Sequence, residues 1–137
     1  MKVSAEAPTF DALQALHLAL THFDHAAARE LSLSRSGAAC LRLLVGGGRR
    51  ATEIGQALGL TSGSVTALVD RLEAGKLVKR TVSDSDRRAV HIELTPATAR
   101  RLAKAYEPLE SAFESALGAK KKVALEALLA MARSLSA

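Results

Sequence analysis

Apolar residues in the middle of this chain change their repeat within a few positions, and that change restricts the fold more than any other feature of the sequence. Val65, Leu68, Val69 and Leu72 stand at i, i+3, i+4 and i+7, which is one complete helical stripe. Gly75 closes the stripe. Beyond it Val78, Arg80 and Val82, and then Val90, Ile92 and Leu94, step by two as half-buried strands do. The polar run Ser83-Asp84-Ser85-Asp86-Arg87-Arg88 separates the two extended segments and has turn chemistry. A helix that feeds directly into a two-stranded ribbon is the result.

The flanking segments are helical. Phe10, Leu13, Leu16, Leu20, Phe23 and Ala27 place a helix from Thr9, its expected N-cap, to about Leu31. Ser34-Arg35-Ser36 offers capping hydroxyls to a second helix carrying Cys40, Leu41, Leu43 and Leu44, which Gly46-Gly47-Gly48 ends. A short third helix from Thr52 has Ile54 and Leu58 inward, Glu53 in its first turn and Gly59 as a left-handed terminator. Thr61 or Ser62 then caps the helix that holds the central stripe. After the ribbon, Thr95 and Pro96 open a long helix along Leu102, Tyr106, Leu109, Phe113 and Leu117, with a bend expected near residues 104 to 108 because Pro108 falls inside it. Gly118 ends it. A last helix bears Val123, Leu125, Leu128, Leu129, Ala132 and Leu135, and Lys120 to Lys122 oppose the dipole at its start, so its first turn is expected to fray.

A chain of 137 residues is long enough to bury one core without staples. Its aromatic share is only 3%, so that core must be built from Leu, Ala and Val, which favours helix packing. The reading is a single domain, 1–137, mainly α with a small β-wing. The lone cysteine, Cys40, excludes an internal disulfide framework and suits the cytoplasm. No signal peptide is legible, and no run approaches the roughly 20 apolar residues of a membrane span. Net charge is +5, and between Leu33 and Leu94 ten Lys or Arg stand against six Asp or Glu, so the basic character is local.

Two short helices joined by Leu58-Gly59-Leu60-Thr61 and followed by a ribbon with a basic tip form the winged version of the helix-turn-helix. Burying Val65, Leu68 and Leu72 leaves Ser62, Ser64, Thr66, Ala67 and Arg71 toward the other side. A helix N-terminus presents free amides and positive partial charge, so Thr61, Ser62, Ser64 and Thr66 are candidates to reach phosphates or base edges. Gly63 lets the backbone approach closely. In the turn, Asp84 and Asp86 stand beside Arg87 and Arg88, and a guanidinium held extended by a carboxylate suits a narrow minor groove. The candidate DNA-binding set is Thr61, Ser62, Gly63, Ser64, Thr66, Arg71, Asp86, Arg87 and Arg88.

Over residues 52 to 95 the sequence resembles the MarR family of bacterial regulators, through the stretch Thr61-Ser62-Gly63-Ser64-Val65-Thr66-Ala67-Leu68-Val69-Asp70-Arg71-Leu72-Glu73, the Asp86-Arg87-Arg88 wing and Leu94-Thr95. The resemblance implies a homodimer of winged-helix subunits on palindromic double-stranded DNA. Residues 34–95 would then be the DNA-binding region and the helices within 9–32 and 97–136 the dimer interface. It implies Arg88 as the minor-groove arginine with Asp86 as its partner, and a small-molecule effector that releases DNA, as in many members. Three positions depart from the pattern: Ala67 replaces a large basic or polar residue of many relatives, Gly75 stands one place before their glycine, and Thr98 stands where they carry glycine.

Apart from the resemblance, the Leu- and Ala-rich first and last helices call for a partner, because one chain of this shape would leave them uncovered. Steric blocking of transcription by a dimeric repressor is the mechanism expected. The effector cavity is expected where the first, second and fifth helices meet the winged region.

Two other function classes compete. A winged helix can bind protein, although Lys76, Lys79, Arg80, Arg87 and Arg88 favour nucleic acid over an apolar partner. Non-specific architectural DNA binding is kept open by Ala67 and the small side chains around it. Cys40 is read as a buried structural thiol against the alternative of a redox switch, and His17, His22 and His25 as surface or interface histidines, since a third metal ligand has no suitable spacing. Gly46-Gly47-Gly48-Arg49-Arg50 lacks the ending of a phosphate loop and reads as a flexible linker whose arginines can touch DNA backbone. No nucleophile is paired with a base, so neither an enzyme nor a cofactor is expected.

Overall fold

The computed structural model describes residues 9–82, 85 and 88–136. Its elements run α1 (Thr9–Glu30), α2 (Arg35–Leu44), α3 (Ala51–Leu58), α4 (Ser62–Ala74), β1 (Val78–Val82), β2 (Val90–Leu94), α5 (Pro96–Leu117), a 3₁₀ turn (Gly118–Lys120) and α6 (Lys121–Leu135). This is the mainly helical winged helix-turn-helix that the change of period predicts. The chain divides after Leu102 into two compact units.

In the first unit the core is made where the helical stripes converge. Cys40, Leu41 and Leu44 of α2 are buried together with Ile54 of α3, Val65, Leu68, Val69 and Leu72 of α4, Val78 of β1, Ile92 of β2 and Leu102 of α5. The second helix is central: it packs against α1, α3, α4 and β2. Helix α1 opens at Thr9 itself, the first described residue, and only its C-terminal end is buried, through Ala27 and Ala28; Phe10, Leu13, Leu16 and Leu20 are exposed.

Local chemistry sets most boundaries. Ser34 caps α2, its Oγ accepting from the Gly37 amide at 3.1 Å. Helix α3 starts at Ala51, one residue before the expected Thr52, with Arg50 as its N-cap, and the Glu53 carboxylate reaches back to accept from the Arg50 amide at 2.7 Å. That hydrogen bond, with Arg50 and Arg49 nearby, holds the Glu53 carboxyl below its ordinary range. Gly59 ends α3 in the left-handed conformation, φ 65°, as expected.

The end of α4 is arranged differently from the expectation. Gly75 has an ordinary φ of −78°, and the left-handed residue is Lys76, φ 58°. Around it the Leu77 amide donates to the Leu72 carbonyl and the Lys76 amide to the Glu73 carbonyl, each at 2.9 Å, which is the Schellman pattern with lysine in the glycine position. The corner is then fastened from outside. Thr95, ahead of α5, donates from Oγ1 to the Lys76 carbonyl at 3.0 Å, and its amide donates to the Leu77 carbonyl at 3.1 Å. Thr98, almost fully buried, satisfies its hydroxyl against Thr95 Oγ1 at 2.8 Å. A non-glycine residue in the left-handed region costs roughly 1–2 kcal/mol, part of which glycine returns through its freer unfolded chain. Lys76→Gly is therefore expected to stabilise by about 0.5–1 kcal/mol and to raise the thermal midpoint by about 2–4 °C in a calorimetric scan. An unchanged or lower midpoint would show that the corner is not strained.

Strands β1 and β2 pair antiparallel, with Val78 opposite Leu94, Arg80 opposite Ile92 and Val82 opposite Val90. Only the base of the ribbon enters the core. Val82 and Val90, expected to be half-buried, are exposed because the ribbon leaves the helices behind at this point. The glycine-rich segment is not a flexible linker: Arg49 and Ile92 exchange two backbone hydrogen bonds, 3.0 and 2.8 Å, on the free side of β2. Gly48 lies so close to that strand that a Cβ would stand 2.8 Å from Glu93 Cγ, so a larger residue there would have to displace the Glu93 side chain.

In the second unit α5 continues through Pro108, whose lack of an amide leaves the Lys104 carbonyl without its usual partner. Gly118, φ 46°, ends α5, and Lys121 pairs with Glu114 across the 3₁₀ turn. Helix α6 has no buried residue, and Val123, Leu129 and Leu135 are strongly exposed. No helix of the described residues is long and apolar enough to cross a membrane.

Candidate nucleic-acid interface

Helix α4 presents one chemically distinct face. With Val65, Leu68, Val69 and Leu72 turned into the core, Ser62, Gly63, Ser64, Thr66, Ala67 and Arg71 are all exposed, together with the cap residue Thr61. Thr61 Oγ1 accepts from the Ser64 amide at 3.3 Å and donates to Ser64 Oγ at 3.0 Å, so the cap also orients the Ser64 hydroxyl. Thr66 donates back to the Ser62 carbonyl at 3.0 Å, which leaves its oxygen as an outward acceptor. A Cβ on Gly63 would meet nothing within 4 Å, so the backbone there is open to close approach. The six candidate residues of the helix and its cap are therefore all accessible.

On the wing, Arg88 is exposed in the turn before β2. Asp86 and Arg87 lie outside the described residues, as does Asp84.

Arg80 has a different place from the one its charge predicts. It bridges strand and helix, with Nη2 donating to Asp70 at 2.7 Å and Nη1 to Glu73 at 2.5 Å. The Asp70 hydrogen bond first, and the Glu73 charge after it, hold the guanidinium protonated above its ordinary range. The arginine thus spends its charge on two α4 carboxylates instead of offering it outward. Two acids three apart on the exposed side of a stripe, followed by an arginine on the inward-stepping positions of the next strand, are the signal that would have identified it.

Behind the winged region, Arg42 of α2 pairs with Asp24 of α1. Both line a cavity of about 300 Å³ between these helices, with His17, Thr21, His25 and Arg35. Cys40 is fully buried, and burial pushes its thiol up to about 11, so it stays protonated and unreactive near neutral pH. Among the described residues no group of three or more His, Cys, Asp or Glu is placed to hold a metal ion.

Residues 31–89 match the model of the MarR family. The uncharacterized HTH-type transcriptional regulator YcgE of Bacillus subtilis is 39% identical over 88 residues, which are 64% of this chain and 57% of that protein, so the match spans less than two thirds of the relative. The crystal structure of a MepR point mutant from a multidrug-resistant S. aureus clinical isolate superposes with a TM-score of 0.74 at 21% identity, covering 95% of this chain and 99% of that one. A second S. aureus MepR mutant, bound to an oligodeoxyribonucleotide, gives 0.57 at 22% identity, covering 95% and 99%. These structures share the fold.

Proposed function

We propose that this chain, whose residues 31–89 match the model of the MarR family, is a transcription regulator of that family that binds double-stranded DNA as a two-fold dimer. The observation that carries the reading is the α4 face: hydroxyls, a glycine and an arginine gathered on the exposed side of a helix whose other side is locked into the core. Such a face fits a major groove, where the helix N-terminus seats against phosphate while Ser62, Ser64 and Thr66 reach phosphates or base edges. Thr61 holds the cap, Gly63 permits close approach and Arg71 adds a phosphate contact. Arg88 enters the adjacent minor groove, with Asp86 orienting it and Arg87 beside it. MepR, which shares the fold, is known bound to an oligodeoxyribonucleotide.

Dimerisation draws on the uncovered apolar residues of α1 and α6, which a second copy would bury. Helices in 9–32 and 97–136 serve as the interface and 34–95 as the DNA-binding region. Two-fold symmetry then sets the recognition helices about 34 Å apart, so the operator is a pseudo-palindrome. Occupying it blocks transcription sterically in the cytoplasm. A small molecule seated between α1 and α2 would weaken binding by the ratio of its affinities for the two spacings of the dimer.

Selection of bound duplexes from a random DNA pool at two salt concentrations tests this. An inverted repeat should be enriched, and Arg88→Ala should bind it about tenfold more weakly with a salt slope lower by about 2, one for each subunit of the dimer. Binding without sequence preference and with a steep salt dependence would replace the reading with an architectural role. No binding to any duplex would remove it.

A further inference from the structure

The wing carries an apolar pair that the core does not use. Along β1, Val78, Arg80 and Val82 share one face of the ribbon, and across the ladder the same face holds Leu94, Ile92 and Val90. At the base, Val78 and Ile92 are each 2% exposed; at the far end Val82 and Val90, directly opposite one another, are 59% and 46% exposed. Arg80, between them, fixes the direction of this face, because its guanidinium reaches Asp70 and Glu73 on α4. The two valines therefore lie on the side of the wing that looks toward the recognition helix, one register step farther out than Arg80.

We propose that Val82 and Val90 form an apolar shelf for the sugar edge of the DNA strand that passes between the major groove and the minor groove. The inference rests on the DNA-binding reading above. With α4 in one groove and the wing in the next, a sugar–phosphate strand must cross the space between them, and the inner face of the wing meets it. Deoxyribose offers uncharged C–H surface at every nucleotide. A β-branched pair held side by side suits that surface, while Arg88 at one end and the hydroxyls of α4 at the other take the flanking polar groups. The contact adds affinity without base preference. It also accounts for an apolar pair on a ribbon whose other face carries Lys79, Thr81, His91 and Glu93.

The test is a fluorescence-anisotropy titration of the labelled duplex that the full chain enriches best from a random pool, over a series of salt concentrations. Wild type, the Val82→Thr/Val90→Thr double variant and Arg88→Ala are compared. Threonine keeps the shape and the strand preference, so thermal midpoint and oligomeric state should not move. The double variant should bind about tenfold more weakly with an unchanged salt slope, since only apolar contact is lost, whereas Arg88→Ala should lower the slope by about 2, one for each subunit. A double variant that binds as wild type overturns the shelf and leaves the DNA-binding reading standing. So does a loss of affinity accompanied by a lower slope, which would mean a displaced wing, or a change of oligomeric state, which would mean that another protein chain covers the pair. A wild-type chain that binds no duplex overturns the shelf together with the reading on which it rests.

Discussion

Leu41→Ala is expected to remove about 3–4 kcal/mol of stability, the middle of the range for a leucine truncated in a closed core. Leu41 has no accessible surface and sits on the helix that packs against α1, α3, α4 and β2, so no single neighbour can move to fill the space. The cost combines the lost transfer energy of the removed methyl groups with the cavity left behind. Against a total of about 5–15 kcal/mol for an ordinary domain, the loss is a large share. Chemical denaturation followed by circular dichroism reads it directly. A change below about 1 kcal/mol would mean that α2 is not the centre of the core.

The second large effect is functional. Arg80→Ala should weaken duplex binding by about thirtyfold at low salt, and much less at high salt, because it leaves Asp70 and Glu73 as two uncompensated negative charges on the helix proposed to enter the groove. Stability should change little. The three groups are between 35% and 60% exposed, and ion pairs of that kind contribute weakly to folding. Adding Asp70→Asn and Glu73→Gln to Arg80→Ala should restore most of the affinity, since the repulsion disappears with the carboxylates. Equal binding by wild type and Arg80→Ala, measured by anisotropy, would show that the bridge has no bearing on DNA. A loss that the two amides do not restore would place its value in holding the wing.

Much of this arrangement is legible in the sequence because it is local. Ser34 and Thr61 cap helices through residues three positions on, Gly59 turns the chain between α3 and α4, and the stripe from Val65 to Leu72 is buried as its spacing requires. The exposed face of α4 follows from that stripe by subtraction. The wing is less legible. Period two identified its strands, yet alternation cannot tell how far along a ribbon the core extends, and Val82 and Val90 lie beyond it. Pairings made across the fold left no clear trace either: Arg80 with two helix carboxylates, Gly48 against Glu93, and Thr95 on the Lys76 carbonyl. A left-handed lysine is hidden from spacing alone, which would choose the neighbouring Gly75, whereas the family resemblance, with its glycine one place later, marks position 76.

The backbone pairing of Arg49 with Ile92 also bears on the behaviour of the chain in concentrated solution. A two-stranded ribbon has two open edges, each a row of amides and carbonyls on which a strand from another molecule can assemble. Arg49 occupies one of them at its middle, and the other belongs to a strand of five residues bearing the exposed Lys79. An obstructed edge and a short charged one give a neighbouring molecule little to extend, so the wing can project from the protein without seeding aggregation.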